Sequence, residues 1–219
     1  MNTPFSKDKL ARALLEWYSK NKCAYPWRYT NDPFLVLVSE FFLQQTKSDD
    51  IVVPYNILLG KYKNISELAN ADIAFLREIF SKLGLFYRAE RLVSAARFII
   101  SEFSGEIPNS LDKLVSIPGI GLYSANAILC FGFGKKVGIA DANIIRIYSR
   151  VCSMKFRTSR PRYDKGLWKF ANDALPEKQY VDFNYSLLDF GKLICTFKNP
   201  KCTICPLNNM CHYYSDRNP

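Results

Sequence analysis

The 219-residue chain holds one histidine, His212, three methionines, and no run of 18 or more apolar residues. The missing apolar run leaves nothing to cross a membrane as a helix. The opening "MNTPFSKDKLARALLEW" lacks the apolar centre and small-residue cleavage site of a secretory leader, so a cytoplasmic protein with no membrane partner is expected. A lone histidine beside Cys211 argues against histidine general-base chemistry and reads as a surface residue or part of a metal-loop shell. Alternating strands, low-complexity tracts and solenoid periods are all absent.

With 48% hydrophobic residues the chain can fill one large or two modest cores. Their spacing is helical almost throughout. Leu10, Leu14, Trp17 and Tyr18 form one stripe, Leu35, Val38, Phe42 and Gln45 a second, and Leu92, Ala95, Ala96, Ile99 and Ile100 a third. Pro26, Pro33, Asn64, Gly84, Gly105, Pro108 and Pro161 punctuate the runs, predicting about ten short helices and an all-α fold. Composition breaks between Phe133 and Val137, where an apolar helix gives way to a basic segment.

The formal charge is +10, and residues 134–169 carry ten basic side chains against Asp141 and Asp164. Tyr148, Phe156, Tyr163 and Trp168 are interleaved with them, a composition suited to a phosphate backbone, although a solvated basic face has the same make-up. Seven cysteines without an export signal do not suggest disulfides. Cys195, Cys202, Cys205 and Cys211 cluster as C-x6-C-x2-C-x5-C, a spacing fit for a 4Fe-4S cluster or zinc, whereas Cys23, Cys130 and Cys152 read as packing residues.

Two carboxylates and one turn draw the eye. In "LVLVSEFFLQQT", Glu40 is crowded by apolar side chains with no Lys or Arg one helical turn away. Either it lies on the wet side of a helix or it is held out of water for a task, with its pKa raised toward neutrality. In "LDKLVSIPGIGLYSANAIL", Pro118 ends one helix, Gly119 and Gly121 allow a tight turn, and a second helix follows. This is a helix-hairpin-helix whose backbone N–H groups make a sequence-neutral phosphate clamp. In "GIADANIIRIYSR", Asp141 precedes a helix and is at least its N-cap; near a DNA-binding hairpin it also suits stabilisation of a cation on a reacting sugar.

Together, "YPWRYTNDPFLVLVSEFFLQQT", "GLFYRAERL", the hairpin, "DANIIRIYSR" and the cysteine spacing resemble the helix-hairpin-helix DNA glycosylases of the endonuclease III superfamily, from about residue 9 to 213. The resemblance implies a six-helix barrel over 26–133, with the hairpin at 111–131, and a discontinuous lobe from 1–25 and 134–219 carrying a 4Fe-4S cluster on the four cysteines. It gives Asp141 the place of the essential aspartate and Glu40 that of a second catalytic acid. Tyr123 stands where bifunctional members carry a lysine, so no Schiff base is expected; it is similar to the base-pocket tyrosine of archaeal-type thymine glycosylases. Gln44 and Gln45 would fill the gap left by a flipped base, and Leu85 or Phe86 would wedge from the other side.

The implied activity is monofunctional removal of thymine or uracil opposite guanine in double-stranded DNA by a monomeric, nucleoid-associated enzyme. An adenine glycosylase acting opposite 8-oxoguanine or guanine is the alternative, which the eight residues remaining after Cys211 and the tyrosine at 123 both weaken. A non-catalytic iron-sulfur DNA binder is the alternative from another class, and it leaves Glu40 and Asp141 without a purpose.

Overall fold

The computed structural model describes residues 6–81 and 83–217. Among them every regular element is helical: α1 (Lys7–Asn21), α2 (Pro33–Leu43), α3 (Ser48–Lys61), α4 (Ile65–Ala69), α5 (Ile73–Ser81), α6 (Arg88–Phe103), α7 (Leu111–Ser116), α8 (Leu122–Ala127), α9 (Ala142–Cys152), α10 (Lys165–Asp173), α11 (Tyr180–Leu193) and α12 (His212–Ser215). The all-helical expectation holds, and the excess over ten comes from one-turn pieces such as α4 and α12. No described helix is long and apolar enough to cross a membrane.

The chain divides into two compact units, Ala24–Lys135 and the flanking segments up to Cys23 and from Lys136. In the first, α2 is the central helix and packs on α3, α6, α8 and the π-turn Ile128–Gly132. Asp32 starts it by accepting the Phe34 N–H at 2.8 Å, and Pro33 occupies its first turn, where a missing N–H costs nothing. Val36, Leu37, Val38, Phe41 and Phe42 are all buried, and Phe42 stacks on Phe80 with centroids 4.5 Å apart.

The helix stops at Leu43, two residues short of the predicted stripe. Gln45 adopts the left-handed backbone, φ 56°, and cannot continue it. Thr46 N–H then closes the turn on the Leu43 carbonyl at 3.3 Å.

In the second unit α11 packs on both α1 and α9, and α12 packs on α9. Gly191 sets how closely α11 approaches α9. A Cβ there would lie 2.6 Å from the Asn143 Cβ, two residues from Asp141, so a larger residue would push the helices apart.

Candidate catalytic acids and DNA-contacting elements

Glu40 lies in the middle of α2, 4% exposed, inside a helix buried on every side. The wet-face reading of this residue is therefore excluded. One turn later, Gln44 Nε2 donates to the Gly119 carbonyl at 3.0 Å, a contact spanning 75 residues that ties the end of α2 to the hairpin. Gln45, next in the chain, is exposed.

The hairpin itself runs from α7 through Pro118 to α8, with the Ile120 N–H closing on the Ile117 carbonyl at 3.1 Å. Gly119 is required twice over: its φ is +85°, and a Cβ would lie 2.9 Å from the buried Phe41 ring. Gly121 differs. Its φ is −93° and nothing lies within 4 Å of where its Cβ would stand, so the fold of this chain does not itself demand glycine there. Gly119→Ala is expected to destabilise the protein by about 1–3 kcal/mol, read as a lower denaturation midpoint, and to weaken duplex binding in proportion as the turn distorts. Tyr123 sits half-buried in the first turn of α8.

Leu85 and Phe86 occupy the turn before α6. Leu85 N–H bonds to the Phe80 carbonyl at 3.0 Å and its side chain is half-buried, while Phe86 is 60% exposed. Arg88, which composition and spacing did not single out, is buried just beyond.

In the other unit Asp141 caps α9. One carboxylate oxygen accepts the Ile144 N–H at 2.8 Å and the other accepts Asn143 Nδ2 at 2.9 Å. Burial pushes its pKa above the ordinary aspartate range, opposed by these hydrogen bonds and by the Arg146 guanidinium. Asn143 Oδ1 accepts Arg146 Nη2 at 2.8 Å; Arg146 also donates to the Gly191 and Cys195 carbonyls at 2.8 Å each. Arg150 donates to the Thr196 carbonyl at 2.7 Å and the Phe197 carbonyl at 3.0 Å. Two cations of the basic segment thus hold the cysteine loop rather than facing a phosphate. Asn143 and Arg146 were not singled out by sequence reasoning; the only local signal for them is their spacing of two and five residues from Asp141.

Among the described residues no group of three or more His, Cys, Asp or Glu side chains is arranged to hold a metal ion. Two of the four cysteines nonetheless respond to their neighbours: Cys205 and Cys211 are both pushed up, by burial first and then by the other cysteines. Burial first, then Cys211, Cys195 and Cys202, push the Cys205 thiol up to about 12, against a hydrogen bond from the Leu207 N–H to its sulfur at 3.4 Å. Arg150 Nη1 approaches the Cys195 sulfur at 3.6 Å. His212 is exposed at the start of α12.

Residues 38–172 match the HhH-GPD superfamily base excision DNA repair proteins. The chain is 36% identical over 214 residues to a thymine/uracil-DNA glycosylase of Pyrobaculum aerophilum, covering 95% of this chain and 93% of that protein. An adenine DNA glycosylase of Buchnera aphidicola subsp. Baizongia pistaciae is 33% identical over 93% of this chain, which spans 58% of that protein's length. The solved structure of a thermostable thymine-DNA glycosylase superimposes with a TM-score of 0.90 at 29% identity, covering 96% of this chain and 97% of that one. The chain belongs to the HhH-GPD superfamily of base excision DNA repair proteins.

Proposed function

We propose that this protein is a monofunctional DNA glycosylase that hydrolyses the N-glycosidic bond of thymine or uracil mispaired with guanine, acting as a monomer on duplex DNA. The observation that carries the reading is the 36% identity to a thymine/uracil-DNA glycosylase over 95% of the chain, in a sequence that places Tyr123, not lysine, on the second hairpin helix. Glu40 adds support: its carboxylate is held mid-helix at 4% exposure, whereas a protein that only grips a polyanion gains nothing from a buried acid.

The chemistry follows from the two acids. Flipping the nucleotide out of the stack costs least at a mismatch. As the C1′–N1 bond breaks, its electron pair leaves with the base and positive charge develops on the sugar. Asp141, held by Ile144 and Asn143, stabilises that charge as a carboxylate. Glu40 hydrogen-bonds the departing base or activates the water whose oxygen bonds to C1′. The products are a free base and an abasic site. Tyr123 lines the base pocket, the hairpin with Gly119 and Gly121 holds phosphates, Gln44 and Gln45 enter the vacated stack, and Leu85 or Phe86 wedges opposite.

The four cysteines suit a 4Fe-4S cluster, which takes one thiolate per iron and so does not need three side chains on a single ion. The all-sulfur donor set, and the Leu207 N–H and Arg150 guanidinium directed at two of the sulfurs, support that choice. When bound, the cluster cross-links residues 195–211. The purified protein is expected to carry about four irons per chain, and Cys202→Ser to lose most of them; elemental analysis finding zinc in place of iron contradicts the assignment.

Duplexes containing T·G, U·G, A·8-oxoguanine and A·G, treated with alkali after incubation, test the function. Strand breaks at T·G and U·G are expected. Breaks confined to the adenine pairs favour the alternative glycosylase, and breaks in none leave only DNA binding. Borohydride is expected to trap no covalent adduct; a strong adduct contradicts the monofunctional mechanism.

A further inference from the structure

Arg88 is the bulkiest fully buried side chain among the described residues, at 1% exposure, and its position is doubly unfavourable. It opens α6, where the helix dipole disfavours a cation, and its guanidinium is withdrawn from water. Glu90, the acid nearest in sequence, is engaged by Arg77. Arg88 is held by neutral groups: Nη1 lies 3.3 Å from each of the Phe41 and Phe42 carbonyls and from Thr46 Oγ1, the Tyr87 side chain adds a hydrogen bond and a ring face 5.9 Å from the guanidinium carbon, and Nε is buried without a partner.

Those acceptors explain the placement. The Phe41 and Phe42 carbonyls are among the last four of α2, which the helix leaves without partners at its negative pole. A glycine after the helix would close such an end without burying a charge. Instead the cation spans two places. Its backbone N–H bonds to the Leu85 carbonyl at 3.0 Å, within the turn that displays Phe86, and its side chain holds the turn that displays Gln44 and Gln45.

We propose that Arg88 is a positioning residue that locks the C-terminal turn of α2 to the 83–87 turn, fixing in one frame Glu40 and the residues that replace and wedge the flipped base. It touches neither substrate nor reacting atoms. This inference rests on the glycosylase reading of Glu40, Gln44, Gln45 and Phe86.

The test compares wild type, Arg88→Lys and Arg88→Met in single-turnover excision from a T·G duplex at saturating enzyme. Binding affinity and the fluorescence of 2-aminopurine beside the mismatch, which reports flipping, are measured alongside, at a temperature where each variant is fully folded. Arg88→Met is expected to slow excision about 10²-fold and to cut the flipping signal, with binding held within about threefold. Arg88→Lys, able to reach one carbonyl but not to fork, falls between. Wild-type rates in the folded variants, or losses that only follow the folded fraction, overturn the proposal; if Arg88→Met does not fold, Arg88→Lys carries the same criterion. Amide exchange over residues 41–46 without DNA separates this inference from the functional reading. Faster exchange in Arg88→Lys supports the lock even if the wild type excises nothing, and unchanged exchange overturns it even if the wild type is active.

Discussion

Asp141→Asn is expected to lower excision from a T·G duplex about 10²–10³-fold, the range for losing one well-placed electrostatic group. The fold should survive, because asparagine caps a helix about as well as aspartate and can still accept the Ile144 N–H. Only the bond from Asn143 Nδ2 needs a new arrangement, since the second carboxylate oxygen becomes a donor. A further consequence comes from the raised pKa. The folded protein holds the Asp141 proton more tightly than the unfolded chain, so this group favours folding most below the ordinary aspartate range. That contribution is lost as pH rises through the folded pKa, and it stays lost above it. Removing the charge cancels the loss. Asp141→Asn should therefore melt at a higher temperature than wild type at pH 7, with the gap closing below about pH 4. An inactive variant that is also less stable at neutral pH would assign Asp141 to the fold rather than to the chemistry.

Glu40→Gln is expected to cost about 10²–10⁴-fold in the same assay, the usual reach of a positioned acid or base. Its signature should differ from that of Asp141. If Glu40 assists the departing base, a base that leaves more readily needs less help. Replacing uracil by 5-fluorouracil opposite guanine, which stabilises the departing anion, should recover much of the Glu40→Gln loss and little of the Asp141→Asn loss. Equal recovery in both variants would mean that the two carboxylates do not divide the work between sugar and base.

How much of this was readable in the chain follows from the range of each interaction. The helices were legible because apolar spacing is local: the stripe through Leu10, Leu14 and Tyr18 is buried as its period implies. The cap at Asp141 was legible for the same reason, since its partner is Ile144. Glu40 was not. Val36 through Phe42 are buried all round the helix, so no amphipathic face could decide whether its carboxylate met water. α2 ends two residues before Gln45 because Gln45 takes the left-handed backbone, and the groups that hold this turn are remote in sequence, with Arg88 46 residues beyond Phe42 and Gly119 75 beyond Gln44. The basic segment was counted correctly but not sorted. Charge totals do not reveal that Arg146 and Arg150 turn onto carbonyls of the cysteine loop.

Hydrolytic removal of a mismatched pyrimidine is read most directly by chromatography of the small-molecule product after one turnover on a T·G duplex. Free thymine is expected in amounts equal to the abasic sites formed by the wild type, and almost none from Asp141→Asn. Free adenine from an A·8-oxoguanine duplex with no thymine from T·G, or no released base from either, would contradict it.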